Sequence, residues 1–357
     1  MSLFVSKPSL PKLNDLNREI RKLYKTHKLT TNGPQVNILK EKLEKKLGVK
    51  NLLLVSNGTI AIQVVLETLK IKKKVTVTPF SYISTINSVE WQNKKFDFCD
   101  LEKGKLTIDI NKLKLERGGS LLVVHPFGIP ENIEILSSIC KKKNAKLIFD
   151  ASHCFNVKYK NKSILNYGDA SIISFQATKF FNTCEGGAII FKKKKDYLLA
   201  HKMIHIGFDY LSQKNSLPGK GINAKMSELT ACWGISLLKR LNKIKKLKSS
   251  NYKIYLQNLH PDIIQPTKNL KSQNYNYMPI ILSSEKALIK VKNKLQKNKI
   301  FPGRYFFPSL DELPHIKSKT KCKRSRELSK KILCLPLSEY TKHKEIKKAC
   351  KIVNSIS

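Results

Sequence analysis

A lysine stands in a polar loop between two apolar runs near the middle of the chain. Residues 171–190 read SIISFQATKFFNTCEGGAII, which opens as a short buried strand, continues through Ser174, Thr178 and Lys179, and returns to an apolar run. Long cationic side chains are almost never buried without a partner, so a lysine between two buried strands indicates an unusual environment. The alternative is an ordinary surface lysine, since Lys and Arg make up 68 of the 357 residues.

A second group of candidate residues follows the apolar strand predicted at 52–55. The turn 56–59 reads SNGT and leads into a helix predicted over 60–69. Gly58 permits close approach of the backbone to a ligand, and Thr59 adds a hydroxyl group at the helix start. Free N–H groups and the helix dipole make such a helix start a site for a phosphate. A plain helix cap is the alternative.

Three further candidates lie at or near the ends of predicted strands. Tyr82 follows the strand 75–78, where its ring would either stack on a planar ligand or belong to the core. Asp150 comes directly after the apolar strand 146–149, so its carboxylate points at whatever lies over that sheet edge, and His153 follows three residues later. The alternatives are a turn or helix cap for Asp150 and a satisfied, half-buried ring for His153.

Alternating strands and helices must position these side chains. Strands are predicted over 52–55, 75–78, 96–99, 121–125 and 146–149, and helices over 13–24, 36–47, 60–69, 133–142 and 196–206. Such βαβ units imply a parallel sheet with helices on both faces, and ligands bind beyond the carboxyl ends of its strands.

The rest of the chain indicates a second, smaller α/β unit. A helix over 226–241 ends the large unit, and a Lys-rich helix over 242–259 joins the two. The smaller unit then has a strand over 277–282, a helix over 286–298, and helices near residues 323 and 344. We therefore divide the chain into an N-terminal segment (1–34), a large domain (35–242), and a linking helix with a small C-terminal domain (243–357).

The formal net charge of +42 is high enough to suggest a nucleic-acid partner. The lysines are nevertheless spread along the whole chain, without a compact basic motif or zinc-finger spacing, so a general bias toward lysine is favoured. No apolar run approaches the roughly 20 residues that span a bilayer, and the N-terminus lacks the features of a signal peptide. We expect a cytoplasmic protein with no membrane partner.

Eight cysteines are scattered along the chain with no C-x-x-C pair. Several lie inside apolar runs, such as Cys99 and Cys334, where cysteine acts as a small hydrophobic residue. The sequence therefore predicts neither a disulfide framework nor a metal site.

Taken together, these motifs resemble the pyridoxal 5′-phosphate enzymes of fold type I, specifically the nucleotide-sugar aminotransferases of the DegT/StrS family. The resemblance extends from LTTNGP (29–34) to KILCLPL (331–337) and includes VSNGTIAI, TPFSYISTINS, FDASHCF and GINAKMSELTA. It implies an α/β fold, with a mostly parallel seven-stranded sheet in a large domain and a smaller C-terminal α/β domain. It also implies pyridoxal 5′-phosphate as the cofactor.

The resemblance implies a role for each candidate residue. Lys179 would bind the cofactor's aldehyde through its amine and later carry the proton during transfer. Asp150 would keep the pyridine nitrogen protonated. The remaining contacts with the cofactor would come from Gly58, Thr59 and Ser174 at the phosphate, Tyr82 on the ring face and His153 beside the ring hydroxyl oxygen.

Two positions depart from the usual family pattern. His153 stands where many members have Gln, and Lys225 stands where many have Arg, which removes the bidentate geometry of a guanidinium. By the same resemblance, Asn223 would reach the phosphate of the neighbouring subunit. We therefore expect a homodimer with active sites at its interface.

Three segments most resemble those of the enzymes that make 4-amino-4,6-dideoxyglucose (viosamine) on a nucleotide. They are TPFSY, NYGDASIISFQATK and PGRYFFPSLDELP. This resemblance implies transfer of the amino group of L-glutamate to a 4-keto-6-deoxyglucose linked to dTDP or UDP. We expect contacts with the nucleotide sugar from Phe80, Lys225, Arg304 and Tyr305. The alternatives are amination at C3 of the sugar or, in another class, a basic nucleic-acid-binding protein; we expect no specific nucleic-acid partner.

Overall fold

The structure is a computed structural model, and it describes residues 2–211, 217–318 and 320–356. The helices in these ranges are α1 (Leu13–Thr26), α2 (Pro34–Leu47), α3 (Gly58–Thr68), α4 (Ile83–Trp91), α5 (Ile133–Lys142), α6 (Lys194–Ile204), α7 (Glu228–Leu238), α8 (Leu241–Asn258), α9 (Glu285–Lys297), α10 (Lys323–Lys331) and α11 (His343–Asn354). The strands are β1 (Leu3–Phe4), β2 (Leu52–Val55), β3 (Val75–Val77), β4 (Phe96–Phe98), β5 (Ser120–Val124), β6 (Lys146–Asp150), β7 (Lys158–Tyr159), β8 (Lys162–Ser163), β9 (Ala170–Ser174), β10 (Gly187–Phe191), β11 (Met278–Ile281), β12 (Ile300–Phe301) and β13 (Ile332–Leu335).

Seven of these strands form the central sheet, in the order β2-β10-β9-β6-β5-β3-β4. The neighbours from β9 to β4 pair in parallel, whereas β10 runs antiparallel to both β2 and β9. Strand β10 reverses direction because it follows β9 through a loop, with no crossover helix between them. The mostly parallel seven-stranded sheet expected from the sequence is confirmed, and Lys179 lies in the loop that produces the one reversal.

The sheet is covered on both faces, which explains why its strands are apolar throughout. Successive residues of a strand point to opposite faces. Leu52 and Leu54 belong to one buried cluster together with residues of α2 and α7. Leu53 and Val55 belong to a second cluster, together with residues of α3, α4 and α6. A strand buried on both faces therefore lacks the polar alternation of a surface strand.

The helix after β2 begins earlier than predicted. Helix α3 starts at Gly58 because the Asn57 side chain accepts a hydrogen bond from the N–H group of Ile60 at 2.9 Å, which is an N-cap. The remaining helices and strands predicted up to residue 206 are confirmed to within two residues at each end, whereas α7 ends three residues before the predicted end at residue 241. The turn 56–59 therefore starts helix α3, as the sequence predicts.

The C-terminal residues build a core of their own, formed by α8, α9, α11, β11 and β13. Strands β11 and β13 pair antiparallel, and β1 pairs in parallel with β12, which joins the N-terminus to this unit. The boundaries proposed for the domains remain a prediction. Among the described residues, no helix is both long and apolar enough to span a membrane.

One segment of this second unit returns to the large sheet. The N–H group of Leu310 donates to the Pro79 carbonyl at 3.0 Å, and the Asp100 carboxylate accepts from the N–H groups of Arg324 and Ser325 at 2.9 Å. These bonds place residues 305–307 beside the carboxyl ends of the sheet strands. Residues 305–307 therefore lie next to the candidate site.

Candidate active site

Asp150 is the last residue of β6 and is buried. Its Oδ1 accepts a hydrogen bond from the N–H group of Ser152 at 3.0 Å, and its Oδ2 accepts one from the Thr85 hydroxyl at 3.3 Å. Two donors from different segments fix the orientation of this carboxylate at the sheet edge. Its position beyond a parallel strand is where ligands bind in such sheets.

Lys179 lies in the β9–β10 loop and keeps part of its surface accessible. Its Nζ donates to the hydroxyl of Tyr277 at 3.5 Å, and its backbone N–H donates to the Gln176 carbonyl at 2.8 Å. Burial lowers the pKa of the Lys179 amine to about 8, while the nearby Asp150 carboxylate acts in the opposite direction. A larger fraction of the amine is therefore neutral near neutral pH than for an exposed lysine, which is the nucleophilic form.

His153 lies beside this lysine in a cluster of aromatic rings. Its Nδ1 accepts a hydrogen bond from the N–H group of Phe127 at 2.9 Å, which assigns the proton of the neutral ring to Nε2. The ring centroid lies 4.2 Å from that of Tyr277 and 5.8 Å from that of Phe306. Burial, with a smaller effect from Lys179, lowers the pKa of His153 well below its ordinary value. The ring is therefore a neutral donor through Nε2–H.

The start of α3 faces the end of β9 across a narrow gap. A Cβ atom at Gly58 would lie 3.1 Å from the Cβ and 3.4 Å from the Oγ of Ser174. Any larger residue at position 58 would therefore fill this gap. The first N–H groups of a helix have no partner within the helix, so this end and the Ser174 hydroxyl form a cradle suited to an anion.

Comparison with known proteins places this constellation in a family. The chain matches the DegT/DnrJ/EryC1/StrS aminotransferase family over residues 12–354. The chain belongs to this family. The protein is therefore an aminotransferase, and the family and enzyme class expected from the sequence are confirmed.

Individual relatives match over most of their length. The dTDP-4-amino-4,6-dideoxy-D-glucose transaminase of Shigella dysenteriae is 31% identical over 94% of both chains. The UDP-4-amino-4,6-dideoxy-N-acetyl-beta-L-altrosamine transaminase of Campylobacter jejuni is 29% identical over 72% of this chain and 71% of its own. A putative sugar aminotransferase of Streptococcus pneumoniae, solved in its PLP form, superposes with a TM-score of 0.89 at 15% identity over the whole of both chains. This last similarity supports the fold.

Pyridoxal 5′-phosphate is the cofactor of this aminotransferase, as the sequence led us to expect. The residues present fit it. Lys179 supplies an amine with a lowered pKa, and Asp150 supplies a buried carboxylate at the same sheet edge. Gly58 lets the start of α3 lie against Ser174, which brings the free N–H groups of the helix and the Ser174 hydroxyl together as donors suited to a phosphate. The individual contacts of these residues with the cofactor remain predictions.

Tyr82 is the residue before α4, and its side chain is 62% exposed. The ring is therefore accessible to a planar group, as stacking on the cofactor requires. Its position at the carboxyl end of β3 places it on the same sheet edge as Asp150. The stacking contact itself remains a prediction.

Asn223 and Lys225 lie on a segment that runs beside the end of β2. Backbone bridges pair Asn223 with His205 and Lys225 with Val55, and the Lys225 amine donates to the Asn223 Oδ1 at 2.6 Å. Asn223 is exposed, and in the described part of the chain no hydrogen bond links its side chain to the Gly58 cradle. Its predicted contact with a partner's phosphate is compatible with this exposure.

Besides Lys225, three further residues expected at the nucleotide sugar have different surroundings. Phe80 is 1% exposed and packs against Phe306 with ring centroids 5.3 Å apart, so in this arrangement it supports the aromatic cluster. Tyr305 belongs to the same cluster as a neighbour of Tyr277. Arg304 donates to Glu285 at 3.0 Å, which directs its guanidinium into the small unit. Contacts of these residues with substrate remain predictions.

Several residues of the site carried no signal that the sequence analysis used. They are Thr85, Phe127, Asn274, Asn276, Tyr277 and Phe306. Tyr277 precedes β11 in the second unit and reaches Lys179 only because the two units pack together. One local signal was available for Phe127, because it lies in an HPFG turn after β5 and adopts a positive φ of 54°.

Proposed function

We propose that the protein transfers the amino group of L-glutamate to C4 of a dTDP-linked 4-keto-6-deoxyglucose, giving dTDP-4-amino-4,6-dideoxyglucose. The observation that carries this proposal is the 31% identity to a transaminase of that name over 94% of both chains. The UDP-sugar relative matches over a smaller part of the chain, which favours dTDP. Both relatives are named for 4-amino sugars, which favours C4 over C3.

The cofactor supplies an electron sink for the carbon that exchanges nitrogen. In this proposal Lys179 would bind the cofactor's aldehyde group and, once released as a neutral amine, would take and return the proton at the reacting carbon. Asp150 holds a proton on the ring nitrogen, and His153 donates its Nε2–H to the ring hydroxyl oxygen. Gly58 and Thr59, with the Ser174 hydroxyl, bind the phosphate, and Tyr82 covers the ring.

The proposal includes a homodimer with its active sites at the interface. Large apolar side chains are exposed on both sides of Asn223 in the sequence, which supports a covered surface there. They are Ile206, Phe208, Tyr210, Leu211, Leu217, Ile222 and Leu229. Asn223 of one subunit then completes the phosphate site of the other.

We also propose that Lys225, with Arg304 and Tyr305, contacts the diphosphate of the nucleotide sugar. Cations and hydroxyl groups are suited to such a group. Arg304 must exchange its bond to Glu285 for this role. All eight cysteines are free, as is usual in reducing compartments, which supports a location in the cytoplasm.

The decisive experiment replaces Lys179 by Ala in the full-length protein. Wild-type protein with pyridoxal 5′-phosphate should convert glutamate and dTDP-4-keto-6-deoxyglucose, and borohydride should add the cofactor mass to the peptide that contains Lys179. Lys179→Ala should lose both, whereas replacing the exposed Lys195 by Ala should change neither. Turnover by Lys179→Ala at the wild-type rate would refute the assignment.

The position of amination and the nucleotide require a separate assay. The product is identified by NMR after parallel reactions with dTDP- and UDP-linked 4-keto-6-deoxyglucose and with a 3-keto isomer. We expect nitrogen at C4 and a preference for dTDP. A product carrying nitrogen at C3 would overturn the regiochemistry.

The high charge suggests a check against polyanion binding as the function. At a net charge of +42 the protein should bind RNA or DNA at low salt whatever its role. We expect this binding to fall steeply as salt rises, while the glutamate-dependent change in cofactor absorbance persists at physiological salt. Tight binding of one nucleic-acid sequence at high salt, without any cofactor reaction, would reverse the proposal.

A further inference from the structure

A second buried lysine lies close to Lys179. Lys248 projects from α8 and is 4% exposed, and burial lowers the pKa of its amine to about 8. In the described part of the chain it forms no ion pair, and the nearby Glu339 is bound to Arg240 at 2.8 Å. Burial of a lysine without a direct counter-charge is unfavourable, so an apolar residue here would be more stable.

The contacts of Lys248 lead to both sequence neighbours of Lys179. Its Nζ donates to the Asn276 Oδ1 at 2.6 Å, and the Asn276 Nδ2 donates to the Thr178 carbonyl at 3.3 Å. The same Nζ lies 5.8 Å from the centroid of the Phe180 ring. One cation on the linking helix therefore reaches the residues immediately before and after Lys179.

The charge on Lys248 also decides how the Asn276 amide is oriented. An ammonium group is only a donor, so the oxygen of the amide must face it, and the amide nitrogen must face the Thr178 carbonyl. Without Lys248 the amide oxygen loses its donor, and the bond between Asn276 and the Thr178 carbonyl loses the support of that charge. The neighbouring Tyr277 hydroxyl accepts from Lys179, so the same short segment contacts the loop at two points.

The space between the two lysines is too small for a substrate group. Lys179, Lys248, Asn276 and Tyr277 line a cavity of about 10 Å³, which is room for about one water molecule. A carboxylate of the amino donor does not fit between the lysines in this arrangement. The geometry therefore favours action through Asn276 over direct contact with a substrate.

We propose that Lys248 is a positioning residue that, through Asn276 and the Phe180 ring, holds the loop on both sides of Lys179 and fixes the position of its amine. The consequence for catalysis rests on the proposed function, whereas the effect on the loop does not. Both halves of the transamination use Lys179, so loss of its position should slow both equally.

The first test measures the loop in the apoprotein. Hydrogen–deuterium exchange on a peptide spanning 175–183 should become about tenfold faster in Lys248→Met, because a charge-assisted hydrogen bond is lost. Lys246→Met, on the exposed side of the same helix, is the matched control and should leave the exchange unchanged. Equal protection in wild-type protein and Lys248→Met would overturn the proposal even if no substrate is known.

The second test measures the half-reactions of the holoenzyme with glutamate and with the keto sugar. Lys248→Met should lower both rate constants by about tenfold with each KM changed by less than about twofold, and Lys248→Arg should restore most of the rate. A rise in KM for glutamate alone would overturn the proposal, because it would make Lys248 a donor-binding residue. A wild-type enzyme that does not react with glutamate would instead refute the proposed function.

Asn276→Leu provides an independent variant in case Lys248→Met does not fold. It removes the same bridge to Thr178 and should slow both half-reactions to the same extent. The double variant with Lys248→Met should be no slower than either single variant, since the two side chains act as one unit. Additive losses would overturn the proposed path through Asn276.

Discussion

Two neighbouring strands, β5 and β6, are each followed by a buried histidine that is held in the same way. The Nδ1 of His125 accepts from the N–H group of Glu131 at 3.1 Å, and the Nδ1 of His153 accepts from the N–H group of Phe127 at 2.9 Å. Burial lowers the pKa of His125 to about 3 and that of His153 well below its ordinary value. Both rings are therefore neutral at physiological pH with the proton on Nε2.

What differs is the space that each Nε2–H faces. His125 stacks on Phe149 at 4.6 Å, and its Nε2 is buried with no hydrogen-bond partner among the described residues. His153 instead lies against Tyr277 and within electrostatic range of Lys179. The two histidines thus form the same kind of hydrogen bond through Nδ1, yet His125 is part of the packed interior, whereas His153 is a candidate ligand of the cofactor. The difference is position at the sheet edge.

The largest expected effect concerns the residue that ends β6. Asp150 pairs in the sheet with Val124 of β5, so a carboxylate stands on one strand where an apolar side chain stands on its neighbour. Asp150→Asn keeps the shape but removes the negative charge that would stabilise a proton on the cofactor's ring nitrogen. We expect kcat to fall about 1000-fold, measured as glutamate-dependent turnover. A loss of less than about tenfold would contradict this role.

A smaller effect is expected from His153→Phe, which keeps an aromatic ring but removes both nitrogens. The variant loses the Nε2–H donor, and we expect kcat to fall about tenfold. It also leaves the Phe127 N–H group without its acceptor, which should lower the free energy of unfolding by about 1–3 kcal/mol. Steady-state kinetics and urea unfolding measure the two effects separately. Wild-type kcat in a destabilised protein would make His153 merely structural.

The matched variant His125→Phe should separate the two histidines. It leaves the Glu131 N–H group without its acceptor, so we expect a similar loss of about 1–3 kcal/mol in the free energy of unfolding. Because His125 does not face the site, kcat should change by less than about twofold once the protein is folded. A loss of kcat as large as that of His153→Phe would break the distinction between the two rings.

The smallest expected effect on activity comes from Glu131, the residue whose N–H group binds His125, since its charge affects only the stability of the fold. Burial raises the pKa of Glu131 to about 8 from 4.5, so the folded protein retains a proton that the unfolded chain has released between these values. The stability contributed by this carboxyl is therefore full below pH 4.5 and is lost as the pH rises toward 8. Glu131→Gln does not titrate, so its free energy of unfolding relative to wild type should rise by about 3.5 kcal/mol between pH 5 and pH 8.

Urea unfolding of both proteins at the two pH values measures this difference. The titration of His125 opposes that of Glu131 in the wild-type protein, because its lowered pKa costs stability as the pH falls below 6.5. It is present in both proteins and cancels in the comparison. A constant difference between variant and wild type would show that Glu131 is ionised in the fold.

The sequence predicted those parts of the molecule that depend on neighbours along the chain. Strand β6 with Asp150 at its end, the capped start of α3 and the loop with Lys179 each lie within a single short segment, where periodicity and capping residues are informative. The two-residue strand β1 was not predicted, because its pairing with β12 depends on a segment far along the chain.

Side chains that meet across units could not be predicted in the same way. Nothing in the spacing indicates that Tyr277 reaches Lys179, or that Asn276 bridges Lys248 to Thr178. These contacts follow from how the linking helix and β11 pack on the large sheet, which is a tertiary property.

The single reversed strand also bears on how the chain is synthesised and folds. Strand β2 leaves the ribosome early, yet its partner in the sheet, β10, is made only after all of the parallel strands. Pairing between such distant segments is slow, so we expect β10 to enter between β2 and β9 late in folding. Pulsed hydrogen exchange during refolding would reveal this order of strand formation. The loop before β10 carries Lys179, so we expect this lysine to reach its place beside Asp150 only when β10 has joined the sheet.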